Sequence, residues 1–235
     1  MGDGPALAEL WELMRQVLGW DLAHPGGEEL TDLTAASCRG ASRRRWLVVP
    51  AASAERLAAV HGVAEVVGCA PGEDPALLAR PGGWDLILGE GLPAMTLEPA
   101  RMAPLLGPGG WLSLHTFCLP ADPGAAHREA LRSRLGAPVR RPEEWLELLR
   151  LAGLEAVTAA DVSWVLTDTE RRVRRFLTPW RLARLAAAVA ARYGWEAIGR
   201  LRAAWQTPGE GGLALLGYCI VTGRRPEGFS LAKAP

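Results

Sequence analysis

Short apolar segments alternate with helical segments along most of this chain, and this alternation restricts the fold more than any other feature. Segments 46–50 (WLVVP), 64–69 (AEVVGC) and 84–90 (WDLILGE) are apolar on nearly every residue. Residues 53–62 between the first two have helical spacing, with Ser53 as the predicted N-cap. Strands of this kind are typical of a parallel sheet covered by helices on both faces. We therefore predict an α/β fold with a mostly parallel sheet in a three-layer sandwich.

The remaining segments extend the same pattern. We predict further strands at 111–117, 154–164 and 212–225, and helices at 97–110 and 141–153. Residues 73–83 have room for two or three helical turns at most. Helices at 5–19 and 28–38 precede the first strand, and a helical insertion with breaks at Pro179 and Gly194 occupies 168–205. This organisation predicts an N-terminal helical flap at 1–40 and one α/β domain at 41–235, whose insertion covers about 168–208.

Composition excludes several classes of function. The 26 basic residues balance the 26 acidic residues, which argues against a nucleic-acid binder that works by bulk charge. Cys38, Cys69, Cys118 and Cys219 are scattered without a CxxC pair, so no metal site is predicted. We expect a cytoplasmic protein, because the N-terminus lacks the pattern of a signal peptide and no apolar run reaches the roughly 18 residues that span a bilayer.

Four segments, taken together, resemble a known family. Residues 84–117 (WDLILGEGLPAMTLEPARMAPLLGPGGWLSLHTF) resemble the strand "FDxV", helix and "LxPGGxL" strand of class I S-adenosylmethionine (SAM)-dependent methyltransferases. Residues 141–161 (RPEEWLELLRLAGLEAVTAAD) and 217–226 (GYCIVTGRRP) resemble the elements that close that fold. Residues 24–31 (HPGGEELT) resemble a motif that precedes the first strand in one bacterial subgroup. The resemblance covers roughly 20–226 and implies a Rossmann-like fold, SAM as cofactor and methyl transfer to a small-molecule acceptor.

The loop after the first strand departs from the family pattern. The family has "LDxGxGxG" where this chain has residues 47–54, LVVPAASA. Val48 stands at the acidic position, and Pro50, Ala52 and Ala54 stand at the three glycine positions. Those glycines let the backbone approach the cofactor, whereas proline removes an N–H donor and alanine adds a methyl group. The loop is therefore predicted to be a poor SAM site, with only the helix N-terminus left as a weak anion site.

Two further departures agree with the first. The family places an acidic residue for the ribose hydroxyls after the second strand, but here Gly68 is followed by Cys69 and Ala70, and the nearest acids are Glu73 and Asp74. Only residues 69–83 separate the second strand from WDLILGE, which is too short for a helix, a strand and a loop. We predict that the family's third strand, at the edge of the sheet, is missing.

Several residues remain candidates for a site at the carboxyl edge of the sheet, where open α/β folds bind ligands. Glu90 and His115 are the catalytic candidates, as an acceptor contact or a base, against the alternative of ordinary strand-end residues. His24 lies on the flap, and Cys118 is either a buried thiol or a nucleophile. If SAM binds, the resemblance implies contacts from these residues: Pro50, Ala51, Ala52, Ser53, Ala54, Cys69, Ala70 and Gly89.

The sequence leaves three functions open. The first is an active methyltransferase for a small molecule, and the second is a catalytically inactive, methyltransferase-like binding or scaffolding subunit that acts with a protein partner or as a homodimer. The third is a binder of another ligand in the same crevice. The run 170–184 contains six arginines, interpreted as a solvated helix face with Val173, Phe176, Leu177 and Trp180 turned inward, or as a contact for an acidic partner.

Overall fold

The computed structural model describes residues 7–19, 24–38, 40–70, 73–199 and 216–228. Its strands are β1 Arg45–Val49, β2 Glu65–Gly68, β3 Trp84–Glu90, β4 Leu106–Cys118, β5 Glu155–Asp161 and β6 Gly217–Arg224. Its helices are α1 Leu7–Leu18, α2 Gly27–Ser37, α3 Ala54–His61, α4 Gly91–Thr96, α5 Pro99–Met102, α6 Ala125–Leu135, α7 Pro142–Leu151, α8 Trp164–Phe176 and α9 Pro179–Tyr193. Single 3₁₀ turns occupy Ala51–Ser53, Pro75–Leu78 and Ala103–Leu105.

The described strands form one sheet in the order β2-β1-β3-β4-β6-β5. The first four of these strands run parallel, and β6 runs antiparallel to both of its neighbours. This order confirms the predicted α/β class with a mostly parallel sheet. In the described part of the chain β2 lies at one edge of the sheet, as expected if the family's third strand is missing.

Helices cover both faces of the sheet. Successive side chains of a strand point to opposite sides, so a strand that is apolar on nearly every residue has two faces to bury. Leu47 and Ile87 belong to one buried cluster, which includes Trp145 of α7. Val48 of β1 belongs to another, which includes Leu57 of α3. The near-continuous apolar strands thus supply two cores, and this is the three-layer arrangement that the sequence predicts.

The N-terminal flap and the helical insertion share a third, smaller cluster. Leu10 and Met14 of α1 pack with Val173 of α8 and with Leu185 and Val189 of α9. Three of the four residues predicted to face inward in the Arg-rich run join this cluster, but Trp180 is exposed and that part of the prediction is wrong. Pro5, the side chains of Leu7 and Trp11, and residues 200–215 lie outside the described residues.

The Arg-rich run itself behaves as a solvated face. Arg172 pairs with Asp168 and Arg174 pairs with Glu170, each one helical turn away on α8. Arg181 lies over the ring of Phe176. These local pairs account for three of the six arginines, and exposed pairs of this kind contribute little to stability.

The structure departs from the sequence expectations at several places. The predicted helix 97–110 is wrong, because only Pro99–Met102 and one 3₁₀ turn lie there before β4 begins at Leu106. Helix α6 was not predicted, because its mean hydropathy is low and no apolar stripe marks it. The Pro-Gly-Gly segment lies inside β4 and is not a turn, because the amide of Arg225 donates to Gly110 O and the amide of Gly109 donates to Arg225 O. Helix α8 begins at Trp164, inside the region expected to be a strand. None of the helices in the described ranges is long and apolar enough to cross a bilayer.

The packing of α3 leads to a prediction about stability. Leu57 has no exposed surface, whereas Val60 on the same helix is 58% exposed. We expect Leu57→Ala to lower the free energy of unfolding by about 2–5 kcal/mol, since it removes buried methyl groups and leaves a cavity. Val60→Ala is the matched control, with a change within about 0.5 kcal/mol. Urea unfolding followed by circular dichroism measures both, and equal effects would contradict the assigned face of α3.

Candidate functional site

The carboxyl ends of β3 and β4 hold two candidate residues side by side. Glu90 and His115 are directly opposite each other in the parallel pairing of the two strands, and neither side chain has exposed surface. The Glu90 Oε1 atom lies 3.6 Å from His115 Nε2. The structure therefore brings together the two residues proposed for catalysis, but it buries both of them.

The N-terminal flap covers this pair. His24 lies just before α2 and is buried, and its ring centroid is 4.4 Å from that of His115. His24 Nε2 lies 3.7 Å from Glu90 Oε1 and 3.0 Å from the hydroxyl of Thr31, which donates to Glu90 Oε1 at 2.6 Å. Gly91 has a φ of +65°, and a Cβ there would lie 2.9 Å from the Cβ of His24. Glycine at this position therefore lets the flap close over the end of β3.

Ser53 supplies the second hydroxyl to Glu90. It stands at the N-cap position of α3, as predicted, but its hydroxyl does not cap the helix. The hydroxyl donates to Glu90 Oε2 at 2.6 Å instead. Each oxygen of the buried carboxylate thus accepts one short hydrogen bond, from Thr31 and from Ser53, and this satisfies a charge that would otherwise be costly to bury.

His115 is held from its other side by the last strand. Its Nδ1 atom lies 3.2 Å from the hydroxyl of Tyr218 on β6, while its Nε2 atom is buried and has no hydrogen-bond partner. Burial raises the pKa of Tyr218 well above its ordinary value, so this residue is a neutral phenol. The orphaned Nε2 faces Glu90 and His24.

Burial and neighbouring groups set the charges of this cluster. Burial, reinforced by the nearby His115, lowers the pKa of His24 from 6.5 to about 4, so its ring is neutral at pH 7. Burial alone would raise the pKa of Glu90, but its attraction to the nearby His115, with smaller effects of His24 and of the Ser53 hydroxyl, lowers it to about 2. The carboxylate is therefore ionised at neutral pH inside the protein.

The loop that the resemblance assigns to SAM lies close against the sheet. Ala51 and Ala52 are exposed, Pro50 and Ser53 are half-buried, and Ala54 is buried. A Cβ placed on Gly68 would lie 2.5 Å from the Cβ of Ala51, so the loop rests directly on the end of β2. The family's acidic residue would follow this position, so the loop sits beside the ribose site that the family pattern requires.

The other residues predicted to contact the cofactor are occupied in other ways. The thiol of Cys69 is buried and donates to Glu73 O at 3.6 Å, and Ala70 is an exposed residue. The Cβ position of Gly89 is filled by Leu114 and Leu97. Cys118 is a core residue next to Gly217, so the buried-thiol interpretation describes it better than a nucleophile does.

The two acids nearest the end of β2 belong to local structure. Glu73 accepts a hydrogen bond from the amide of Ala70 at 2.9 Å. Asp74 caps the following 3₁₀ turn through the amide of Ala76 and pairs with Arg101 at 2.6 Å. Both carboxylates are engaged in local interactions at this edge of the sheet.

Comparison with known proteins rests on structure. No protein-family model matches the chain, and no curated protein matches its sequence. Solved structures do match, among them phosphoethanolamine N-methyltransferase 2 of Haemonchus contortus in complex with phosphomonomethylethanolamine and S-adenosylhomocysteine (SAH), at a TM-score of 0.64 and 12% identity over 92% of this chain. The cyclopropane synthase MmaA2 of Mycobacterium tuberculosis matches at a TM-score of 0.60 and 15% identity, over 92% of this chain and 93% of its own. The chain has the class I methyltransferase fold.

Two features of these matches limit what they imply. This chain spans 57% of the length of the Haemonchus protein. A structure described as the [4+2]-cyclase SpnF matches over 97% of this chain and 99% of its own, at a TM-score of 0.54 and 20% identity. At such identities the comparisons establish the fold, and the chemistry has to be argued from the site.

Sequence reasoning missed three members of the cluster. Thr31 and Tyr218 gave no signal, because a threonine in a helix and a tyrosine in an apolar strand are ordinary residues. Ser53 was noticed only as a cap and as part of the SAM loop. The signal that could have found them was Glu90 itself. An acidic residue at the end of a strand that is covered on both faces requires buried hydrogen-bond donors.

The role of Ser53 leads to a second prediction. Ser53→Ala removes one donor to a buried, charged acceptor, so we expect the free energy of unfolding to fall by about 1.5–3 kcal/mol. Ser133→Ala, on the exposed side of α6, is the control and should change stability by less than about 0.5 kcal/mol. Chemical denaturation at neutral pH measures both. If Ser53→Ala is as mild as the control, water has replaced the hydroxyl and the hydrogen bond is not a significant constraint.

Proposed function

We propose that this protein is a non-catalytic member of the methyltransferase fold, a binding or scaffolding module that does not use SAM. The single observation that carries this proposal is the closed cluster of His24, Glu90 and His115 at the carboxyl ends of β3 and β4. In open α/β folds this edge is where ligands bind. Here it is filled by side chains from the sheet and from the protein's own flap.

The loop supports the proposal on steric grounds. SAM requires bare backbone beneath it, and this chain presents Pro50, Ala52 and Ala54 there. Ala51 packs onto Gly68, where the loop would have to leave room for the ribose. No carboxylate of the described residues replaces the missing ribose acid, since Glu73 and Asp74 are committed to local hydrogen bonds. The residues present do not fit the cofactor.

The chemistry of Glu90 supports it as well. A general base or acceptor contact must reach the substrate, but Glu90 is enclosed and each of its oxygens already accepts a hydroxyl. Its lowered pKa also makes it a weak base. The same interactions that stabilise the carboxylate therefore make it unsuitable for proton abstraction.

The surface of α8, α9 and the residues that follow α9 supports a binding role. Trp164, Trp180 and Trp195 are all strongly exposed, at 58%, 72% and 77%. Exposed tryptophans are enriched at protein–protein contacts because they combine a large apolar area with a polar tip. A protein partner or a second copy of this chain is the partner class we propose for this surface, and a cytoplasmic setting remains our expectation.

An active methyltransferase for a small molecule is the competing function, favoured by the fold of the solved structures that carry SAH. Isothermal titration calorimetry with SAM and SAH separates the two. We expect no saturable heat at millimolar ligand, because the flap and the loop occupy the crevice. The Haemonchus enzyme in the same buffer is the positive control.

Thermal unfolding provides an independent measurement of the same question. A ligand that binds the folded state at 100 times its Kd stabilises it by about 2.7 kcal/mol, which raises Tm by several degrees. We expect no shift with either compound. Micromolar binding by calorimetry, or a clear Tm shift, would overturn the non-catalytic proposal and leave the methyltransferase.

A further inference from the structure

We propose that His24, Glu90 and His115 form a binding site for one divalent transition-metal ion. Zn²⁺ is the ion that suits these three ligands best. This inference shares one premise with the proposed function, namely that the flap is closed over the crevice at the carboxyl ends of β3 and β4. Two imidazoles and one carboxylate form a ligand set that zinc and neighbouring first-row metals accept. No metal site is predicted from the sequence, because the cysteines are not paired and these three ligands are far apart in the chain.

The geometry of the three groups fits one ion. One ligand atom from each residue lies within 4.8 Å of the other two, and all three side chains are buried. The two imidazole nitrogens lie 3.6 and 3.7 Å from Glu90 Oε1. Two ligands at about 2.1 Å from a tetrahedral zinc ion are about 3.4 Å apart, so both imidazole–carboxylate distances are within a few tenths of an ångström of the separation that one ion requires.

The placement of hydrogen atoms in the cluster also favours a metal ion. His24 Nδ1 lies 3.0 Å from the carbonyl of Pro25, which can only accept, so in the neutral ring Nε2 carries a lone pair. The single hydrogen of Thr31 can serve Nε2 or Glu90 Oε1, but not both. His115 Nε2 is buried beside them without a partner. If Tyr218 accepts from Nδ1–H of His115, three electron-rich atoms converge here with one hydrogen among them.

A proton is the competing occupant. It could pair an imidazolium with Glu90 and neutralise the buried carboxylate. A charge-assisted N–H···O bond draws its atoms to about 2.7–2.9 Å, however. The observed separations of 3.6 and 3.7 Å are too long for that bond and close to the separation of two ligands on one metal.

The surroundings supply the outer interactions that metal ligands need. Tyr218 can accept from Nδ1–H of His115, which leaves Nε2 free to bind, and Pro25 does the same for His24. Ser53 holds the second oxygen of Glu90. Because His24 comes from the flap and the other two ligands from the sheet, the ion would fasten the flap across the crevice.

The test begins with the full chain, expressed without a histidine tag. Mass spectrometry of the purified protein should find about one zinc per chain. Chelator-treated protein is then titrated with Zn²⁺ against a coloured competitor, and with Co²⁺, whose visible bands report tetrahedral coordination. A wild-type protein that takes up neither ion at micromolar concentration overturns the proposal.

Variants locate the ion. His24→Gln and His115→Gln should each weaken zinc binding by more than the roughly 10- to 100-fold expected for Tyr218→Phe, which removes only an outer hydrogen bond. His127→Gln, on α6 and remote from the cluster, is the matched control and should bind as wild type does. If both ligand variants bind zinc normally, the ion is elsewhere, with the buried cysteines as the alternative, and the proposal is wrong.

Hydrogen exchange keeps the result independent of variant folding. In wild-type protein, zinc should slow amide exchange in α2, because the ion joins His24 to the sheet, and chelation should reverse this. Unchanged exchange in α2 with zinc bound would contradict the site. A positive SAM titration would remove the proposed non-catalytic function and leave these zinc results standing, so the two failures are distinguishable.

Discussion

One buried carboxylate organises the carboxyl edge of the sheet in this protein. Glu90 ends a central strand without any exposed surface, and it is stabilised by hydroxyls from the flap and from the loop after β1. An ionised acid inside a protein needs such partners, and each of them comes from a different part of the chain. The position of the flap, the role of Ser53 and the close, tilted contact of the two histidine rings all accompany this buried charge.

The sequence was sufficient to predict the fold, because the fold depends on the pattern of apolar and polar residues along the chain. Apolar runs such as 46–50 and 84–90 place strands between two cores, and the short stretch 69–83 implies the missing edge strand. Helix α6 was missed because it lacks an apolar stripe. The site was only half predictable: Glu90 and His115 follow from strand ends, whereas Thr31 and Tyr218 join them through tertiary contacts that no local pattern encodes.

The fold and the cofactor loop of this molecule depend on different residues. Cofactor recognition in this fold depends on a few backbone positions, and proline or alanine can replace glycine there without disturbing the sheet. The core is carried by different residues, such as Leu47, Leu57 and Ile87, which remain fully buried. Substitutions in the binding loop and retention of the architecture are therefore compatible.

The position of β6 has a consequence for how the protein is assembled during synthesis. This last strand lies between β4 and β5, which are made earlier and pair with it on both sides. Until residues 217–224 leave the ribosome, both neighbours expose unpaired edges, which are sites for aggregation. Tyr218 lies on the same strand, so a nascent chain also lacks this support of His115 until β6 is made. Sheet closure and completion of the buried cluster are thus one late event.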